Sequence, residues 1–273
     1  LGRSLHMGGR RPAAGLDVDP LNADPQGAGG AAEIAPYGDE VPDIAAKAAD
    51  VVPVRQVLHG RLRYRRMAEP NAIAAAAEEV VPGVWRWGVA NERIGGAEST
   101  GHAVSGSNGT VLLDPVRLAP EALAALGPVA AILLTAQCHQ RSSWRYRREL
   151  GASAWAPEGT RPMEEEPDGR YRAGDLLPGG LRAVHTPGPE EVHFSFLLEG
   201  KPGVLFCSDL LTNYSGRSFD FVPLQYHDDP PQTRRTVEAL VDVDFDVLCL
   251  DHGSAITSDP KAEIRALLAR TAA

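Results

Sequence analysis

Residues 132–141 read ILLTAQCHQR: Ile132, Leu133 and Leu134, then Thr135, then a polar turn through Cys138 and His139 to Arg141. A short apolar run that breaks into polar residues is the pattern of a buried strand delivering a loop to the edge of its sheet. The same pattern recurs along the chain. It is seen in LLDP (112–115), in VHTPGP (184–189), in LFCSDLL (205–211) and in LDHG (250–253).

Between these runs the periodicity predicts strands at VWRWGVA (84–90), HAVSG (102–106) and TVLLDPV (110–116), the last two split by the turn SNG. A helix is expected at APEALAALG, where Pro120 suits an early helical position and Gly127 a stop. A second is expected at SSWRYRRELG, ending at Gly151. The strand AWAP, an acidic loop MEEEPDGR and the strands LRAVHT, VHFSFLL and GVLFCSD follow. The helix PQTRRTVEALV, the strand FDVLCLDHG and the helix PKAEIRALLAR close the chain. NAIAAAAEEV (71–80) has helix-forming composition. Grouped strands interleaved with helices imply an α/β (α+β) four-layer αββα sandwich, two sheets face to face with helices outside.

At 273 residues, 43% hydrophobic and 23% charged, the chain has the composition of a globular protein with a core. Residues 1–66 are rich in Gly, Ala, Pro and Asp without apolar periodicity, and are expected to be a disordered extension, tag or upstream translation. The first residue is Leu1, so Met7 and Met67 are candidate natural starts. Residues 67–273 are expected to form one domain. A net charge of −9 argues against nucleic acid as a partner, and RLRYRR (61–66) reads as a solvated basic patch. No apolar run reaches the length of a spanning helix. Cys138, Cys207 and Cys249 follow apolar runs like reduced thiols, which points to the cytoplasm.

The five motifs, in this order and spacing, resemble the metallo-β-lactamase superfamily over roughly Val81 to Leu268. The resemblance implies a His-x-His-x-Asp-His motif after Thr135, gripping a pair of metal ions. Those four positions here are Ala136, Cys138, Gln140 and Arg141. The histidine that ends the family's His-Thr-Pro-Gly-His motif falls on Pro189, which has no donor atom. The bridging aspartate is kept as Asp209 and the last histidine as His252, while Asp114 matches a structural aspartate.

Two donors do not hold a catalytic zinc, so no resident cofactor and no hydrolysis are expected. Zinc remains an alternative, at a rewired site of Cys138, Asp209 and His252, with His185 if its loop turns inward. In that reading His139 should point away from Cys138, and His193 is a surface or hydrogen-bonded histidine. Arg141 is expected to reach Asp209 and replace the metal's charge, or else to begin the basic helix and face solvent. A Ser208–Asp209–His252 triad is disfavoured, because adjacent residues on a strand end point to opposite sides, and a Cys138–His139 nucleophile is disfavoured too. Residues 219–229 (FDFVPLQYHDD) line a pocket or, preferentially, precede a helix capped by Asp229. Three functions follow: a cleft that has lost hydrolysis and binds a small-molecule ligand or partner; an active ester, thioester or lactam hydrolase on a rewired site; or a structural, homo-oligomeric protein with a filled cleft.

Overall fold

Along Val84–Asn91 side chains alternate between two covered faces, with Val84 buried on one and Trp87 and Val89 on the other, as a strand inside a sandwich requires. This strand, β2, lies second in a seven-stranded sheet whose spatial order is the chain order. The others are β1 (Glu78–Val81), β3 (Ala97–Gly106), β4 (Gly109–Leu113), β5 (Val129–Leu133), β6 (Ser153–Pro157) and β7 (Gly169–Tyr171). β1 to β4 pair antiparallel, and β4 to β7 pair parallel. Parallel neighbours need a crossover, which α1 (Pro120–Ala125) supplies between β4 and β5 and α2 (Ser143–Leu150) between β5 and β6, while a helix-free loop joins β6 to β7. The structure, a computed structural model, describes residues 69–271. The expected extension 1–66, the patch Arg61–Arg66 and the candidate starts Met7 and Met67 lie outside the described residues.

The second sheet holds β8 (Leu176–Leu177), β9 (Leu181–His185), β10 (Phe194–Leu198), β11 (Val204–Cys207) and, after α3 (Pro230–Leu240), β14 (Val247–Leu250). Its order is β14-β11-β10-β9-β8, with β11 and β14 parallel. A ribbon of β12 (Leu211–Thr212) and β13 (Asp220–Phe221) leads into α3, and α4 (Pro260–Arg270) follows β14.

Three apolar layers hold these elements together. Val104, Leu113 and Leu133 of the first sheet pack against Phe196, Phe206 and Cys249 of the second. Trp87, Leu112 and Ile132 point the other way, onto Leu126 and Tyr146 of the first helical layer. Leu205 and Leu248 turn outward onto Val237, Leu240, Ile264 and Leu267 of α3 and α4. Helix, sheet, sheet, helix is the expected αββα sandwich. Among the described residues no helix is long and apolar enough to cross a membrane.

One element departs from its composition. The alanine-rich segment 71–80 is not helical: Ala74 bridges Leu118, and Glu78–Val81 pairs with β2. A run this short does not stabilise a helix alone, so edge pairing and burial of Ala74 override propensity.

The two sheets are also stitched at one edge. Phe194 N donates to Thr135 O at 3.0 Å, and Ala136 bridges His193. The loop after β5 is thereby fixed above the second sheet.

Candidate functional site

The ends of β4, β5, β11 and β14 converge, and each delivers a polar residue. Asp114 follows β4 with φ 43, a left-handed conformation that aspartate tolerates. Its Oδ1 accepts from Thr135 N at 2.9 Å and its Oδ2 from the Thr135 hydroxyl. After β5 the chain makes a single 3-10 turn, Gln137–His139, that rolls His139 completely inside.

There His139 lies among three carboxylates. Its Nδ1 is 3.0 Å from Asp114 Oδ2 and 3.1 Å from Asp251 Oδ2, and its Nε2 is 3.0 Å from Asp209 Oδ2. The second oxygen of Asp209 meets His252 Nε2 at 2.9 Å, and His252 Nδ1 donates to the Glu98 carbonyl at 2.7 Å. Arg141, also at positive φ (37), donates through Nη1 to Thr100 O at 2.9 Å and Asp114 O at 3.0 Å. Its Nη2 reaches Asp251 Oδ2 at 3.3 Å.

The electrostatics follow from this packing. Burial alone would neutralise His139, and Arg141 opposes its charge, but Asp209 and its neighbours outweigh both and hold its pKa well above 6.5. Burial raises Asp209, yet His139 and the His252 hydrogen bond hold it well below the carboxylate range. Burial likewise raises Asp251, while Arg141 and His139 keep it ionised. Asp114 is raised by burial. Burial also pushes the Cys138 thiol up, which makes it a poor nucleophile.

Several expectations are thus revised. Arg141 does not pair with Asp209: it pairs with Asp251, and His139 is the cation between them. The turn Gln137–His139 is the reason, because it puts the imidazole where an extended chain would point it outward. Cys138 and His139 consequently face the same carboxylate, with Cys138 Sγ 3.7 Å from Asp209 Oδ2. Nor does Arg141 face solvent; its side chain is 4% exposed.

His185 stays out of the cluster. Its Nε2 donates to Glu191 O at 2.9 Å and its ring packs on Phe194, beside a cavity of about 310 Å³. Ser208 Oγ is 3.0 Å from His139 Nδ1, but Ser208 is buried and also bonded to Thr135 at 2.8 Å, so no substrate reaches it. Asp229 caps α3 through Gln232 N at 2.9 Å, as expected of the loop before that helix.

His193 is fully buried, with Nδ1 2.7 Å from Thr186 O, as a hydrogen-bonded histidine should be. Sequence reasoning passed over Asp251 as a site residue, although it stands beside His252 in the quoted motif. It also passed over Glu190, for which no sequence signal stands out, while His227 lies in the segment 219–229 weighed as a pocket lining.

Among the described residues, two groups of three donor atoms lie within 4.8 Å of one another: Cys138, His139 and Asp209; and Asp114, His139 and Asp251. A larger cavity of about 460 Å³ lies elsewhere, against α1 and α2.

No protein-family model matches the sequence, and no curated protein matches it. Solved structures do. A metallo-beta-lactamase family protein from Thermus thermophilus is similar at 22% identity and a TM-score of 0.54, over 70% of this chain and 80% of that one. The metallo-beta-lactamase FIM-1 from Pseudomonas aeruginosa, in a mono-zinc form, is similar at 16% identity and a TM-score of 0.58, over 74% and 98%. An archaeal metallo-beta-lactamase superfamily protein from Sulfolobus tokodaii is similar at 14% and 0.51, over 75% and 87%. The chain has the metallo-β-lactamase fold.

Proposed function

We propose that this protein has exchanged the fold's dinuclear metal centre for built-in cations, and that it uses the remaining cleft to bind a small ligand or partner. The observation that carries this reading is His139, held between Asp114, Asp209 and Asp251 by both of its ring nitrogens. A metal ligand must offer a lone pair, and an imidazolium has none. His139 belongs to both three-donor groups, so zinc at either would have to displace its ring proton. The raised pKa of Cys138 works in the same direction, since zinc binds the thiolate. Positive charge that two metal ions would bring is supplied by Arg141 and His139.

On this reading Asp209, His252, Arg141 and Cys138 are binding and scaffolding residues, and the protein is not a zinc hydrolase. The side chain of Asp209 is 18% exposed, which gives the cluster a polar mouth rather than a sealed floor. That favours ligand binding over a purely structural, homo-oligomeric protein with a filled cleft. A cytoplasmic location is part of the proposal, in keeping with three free thiols.

A second reading rests on the compactness of Cys138, His139 and Asp209. If these lose their protons they make a mononuclear zinc site, whose ion would acidify a water for ester, thioester or lactam hydrolysis. Metal analysis of protein purified without added metal separates the two. Less than about a tenth of an equivalent of zinc, with no turnover of generic esters, supports the first. One equivalent of zinc overturns it.

A further inference from the structure

The larger cavity, about 460 Å³ against α1 and α2, has a local origin. α1 is only Pro120–Ala125 and buries none of its side chains completely. Gly127, at φ 83, then turns the chain through Pro128 into β5. So short a helix covers little of the sheet beside α2, and an open space is left over the start of β5. Its volume falls in the range of small-molecule sites, about 300–1,000 Å³. At about 30 Å³ for each water-sized group, it has room for some fifteen non-hydrogen atoms.

The walls select the body of the ligand. Leu118, Leu123, Val129 and Leu150 line the cavity, with Ile73 from the segment before β1. Ile73 and Leu150 are 49% and 39% exposed, two of the five large apolar side chains left exposed among the described residues. Apolar side chains gathered at a concave opening, in place of being scattered singly, mark a binding surface. Tyr146 adds its ring alone. Its hydroxyl accepts from Leu118 N at 2.8 Å and donates to Val116 O at 3.5 Å, so it has nothing left to offer a ligand.

The charged residues of the lining select its head. They are Arg117, Arg145 and Glu149. Arg145 is engaged: Nε and Nη2 donate to the two oxygens of Glu69 at 2.7 Å each, and Nη1 reaches Glu149 at 3.4 Å. Arg117 is not. Its one ion-pair contact among the described residues is Glu69 Oε1, 3.9 Å from Nε and too far for a hydrogen bond. The Arg117 side chain is 34% exposed, so a solute reaches it. A guanidinium with unused donors presents a fork that matches a carboxylate. An amine would instead meet two guanidinium groups, and an alcohol would occupy only one donor.

We propose that this cavity is a separate ligand site that takes a medium-chain monocarboxylate. Its chain lies against Leu118, Leu123 and Leu150, and its carboxylate is held by the unused guanidinium of Arg117. None of these residues belongs to the His139 cluster, so the site is independent of whether that centre holds a metal.

The test is titration of the full chain with octanoate, read from the NMR methyl resonances of Ile73, Leu123 and Leu150, with 1-octanol and octylammonium in parallel. Saturable shifts with a dissociation constant of about 0.1–1 mM are expected. Octanol should bind about tenfold more weakly, and octylammonium more weakly still. Arg117→Gln should bring octanoate down to the level of octanol and leave thermal unfolding unchanged. Ala124→Phe, at an exposed position of α1 that lines the cavity, should weaken octanoate and octanol alike. Absence of saturable shifts in the full chain overturns the proposal. So does octanol or octylammonium binding as well as octanoate, or a preference for octanoate that survives Arg117→Gln. Octanoate binding unchanged in Ala124→Phe overturns the placement in this cavity. Shifts that follow protein concentration and not octanoate assign the face to a second copy of the chain, and overturn it too.

Discussion

Replacing Arg141 with methionine tests whether the protein's own cations hold the centre together. Methionine keeps most of the aliphatic volume and inherits the same positive φ, so packing and backbone terms change little. What disappears is the guanidinium. Thr100 O and Asp114 O each lose a buried charge-assisted bond, and Asp251 loses its 3.3 Å partner. Breaking a buried ion pair from one side costs about 3–5 kcal/mol. The two carbonyl bonds, at about 1–3 kcal/mol each, overlap with that figure rather than adding to it, because all three contacts share one side chain. The expected loss is therefore about 3–5 kcal/mol, read from urea unfolding followed by tryptophan fluorescence. Asp251→Asn is the partner variant. Combined with Arg141→Met it should cost about 2 kcal/mol less than the sum of the single changes. A loss below about 1 kcal/mol for Arg141→Met, or an additive cycle, would refute the reasoning.

Two further outcomes follow from the same packing. His139 is held well above 6.5, so between that pH and its folded pKa the folded chain keeps a proton that the unfolded chain has lost. Its stabilisation is fully present below about pH 6.5 and declines above it by up to about 1.4 kcal/mol per pH unit. Urea unfolding at neutral and alkaline pH should show this slope, and His139→Gln should flatten it; an unchanged slope in that variant contradicts an imidazolium at 139. Gly253→Ala should destabilise by more than about 2 kcal/mol, because Gly253 has φ 100 and a Cβ there would sit 2.1 Å from Asn213 O. An alanine variant with unchanged thermal unfolding would contradict that close approach.

The fold was legible because its markers serve packing as well as chemistry. Gly188 of HTPGP and Gly253 of DHG stand where a Cβ would meet Thr233 or Asn213, at 2.4 and 2.1 Å. Close packing demands those glycines independently of any metal ligand, and they hold the spacing that reveals the sandwich. Asp209 and His252 were legible for the same reason: they close strand ends whose apolar runs are plain.

The partners of the charges were not legible. Whether His139 looks inward depends on one turn of 3-10 helix, which AQCHQR does not announce. Once it turns in, it takes Asp209, and Arg141 is left to Asp251. Three-dimensional competition for a few carboxylates decided the pairing, and sequence order carries no record of it. The alanine-rich segment before β2 failed similarly, since its helix propensity yielded to an available sheet edge.

Arg141 has a consequence for how this chain can change. Its guanidinium serves two main-chain carbonyls and Asp251 at once, so exchanging it for histidine leaves all three wanting until other positions change as well. Pro189 and Ala136 would have to gain imidazoles in the same interval. On the metal-free reading proposed above, a change at Arg141 alone costs stability with no metal to offset it. That one side chain holds the arrangement against a piecemeal return of a metal site.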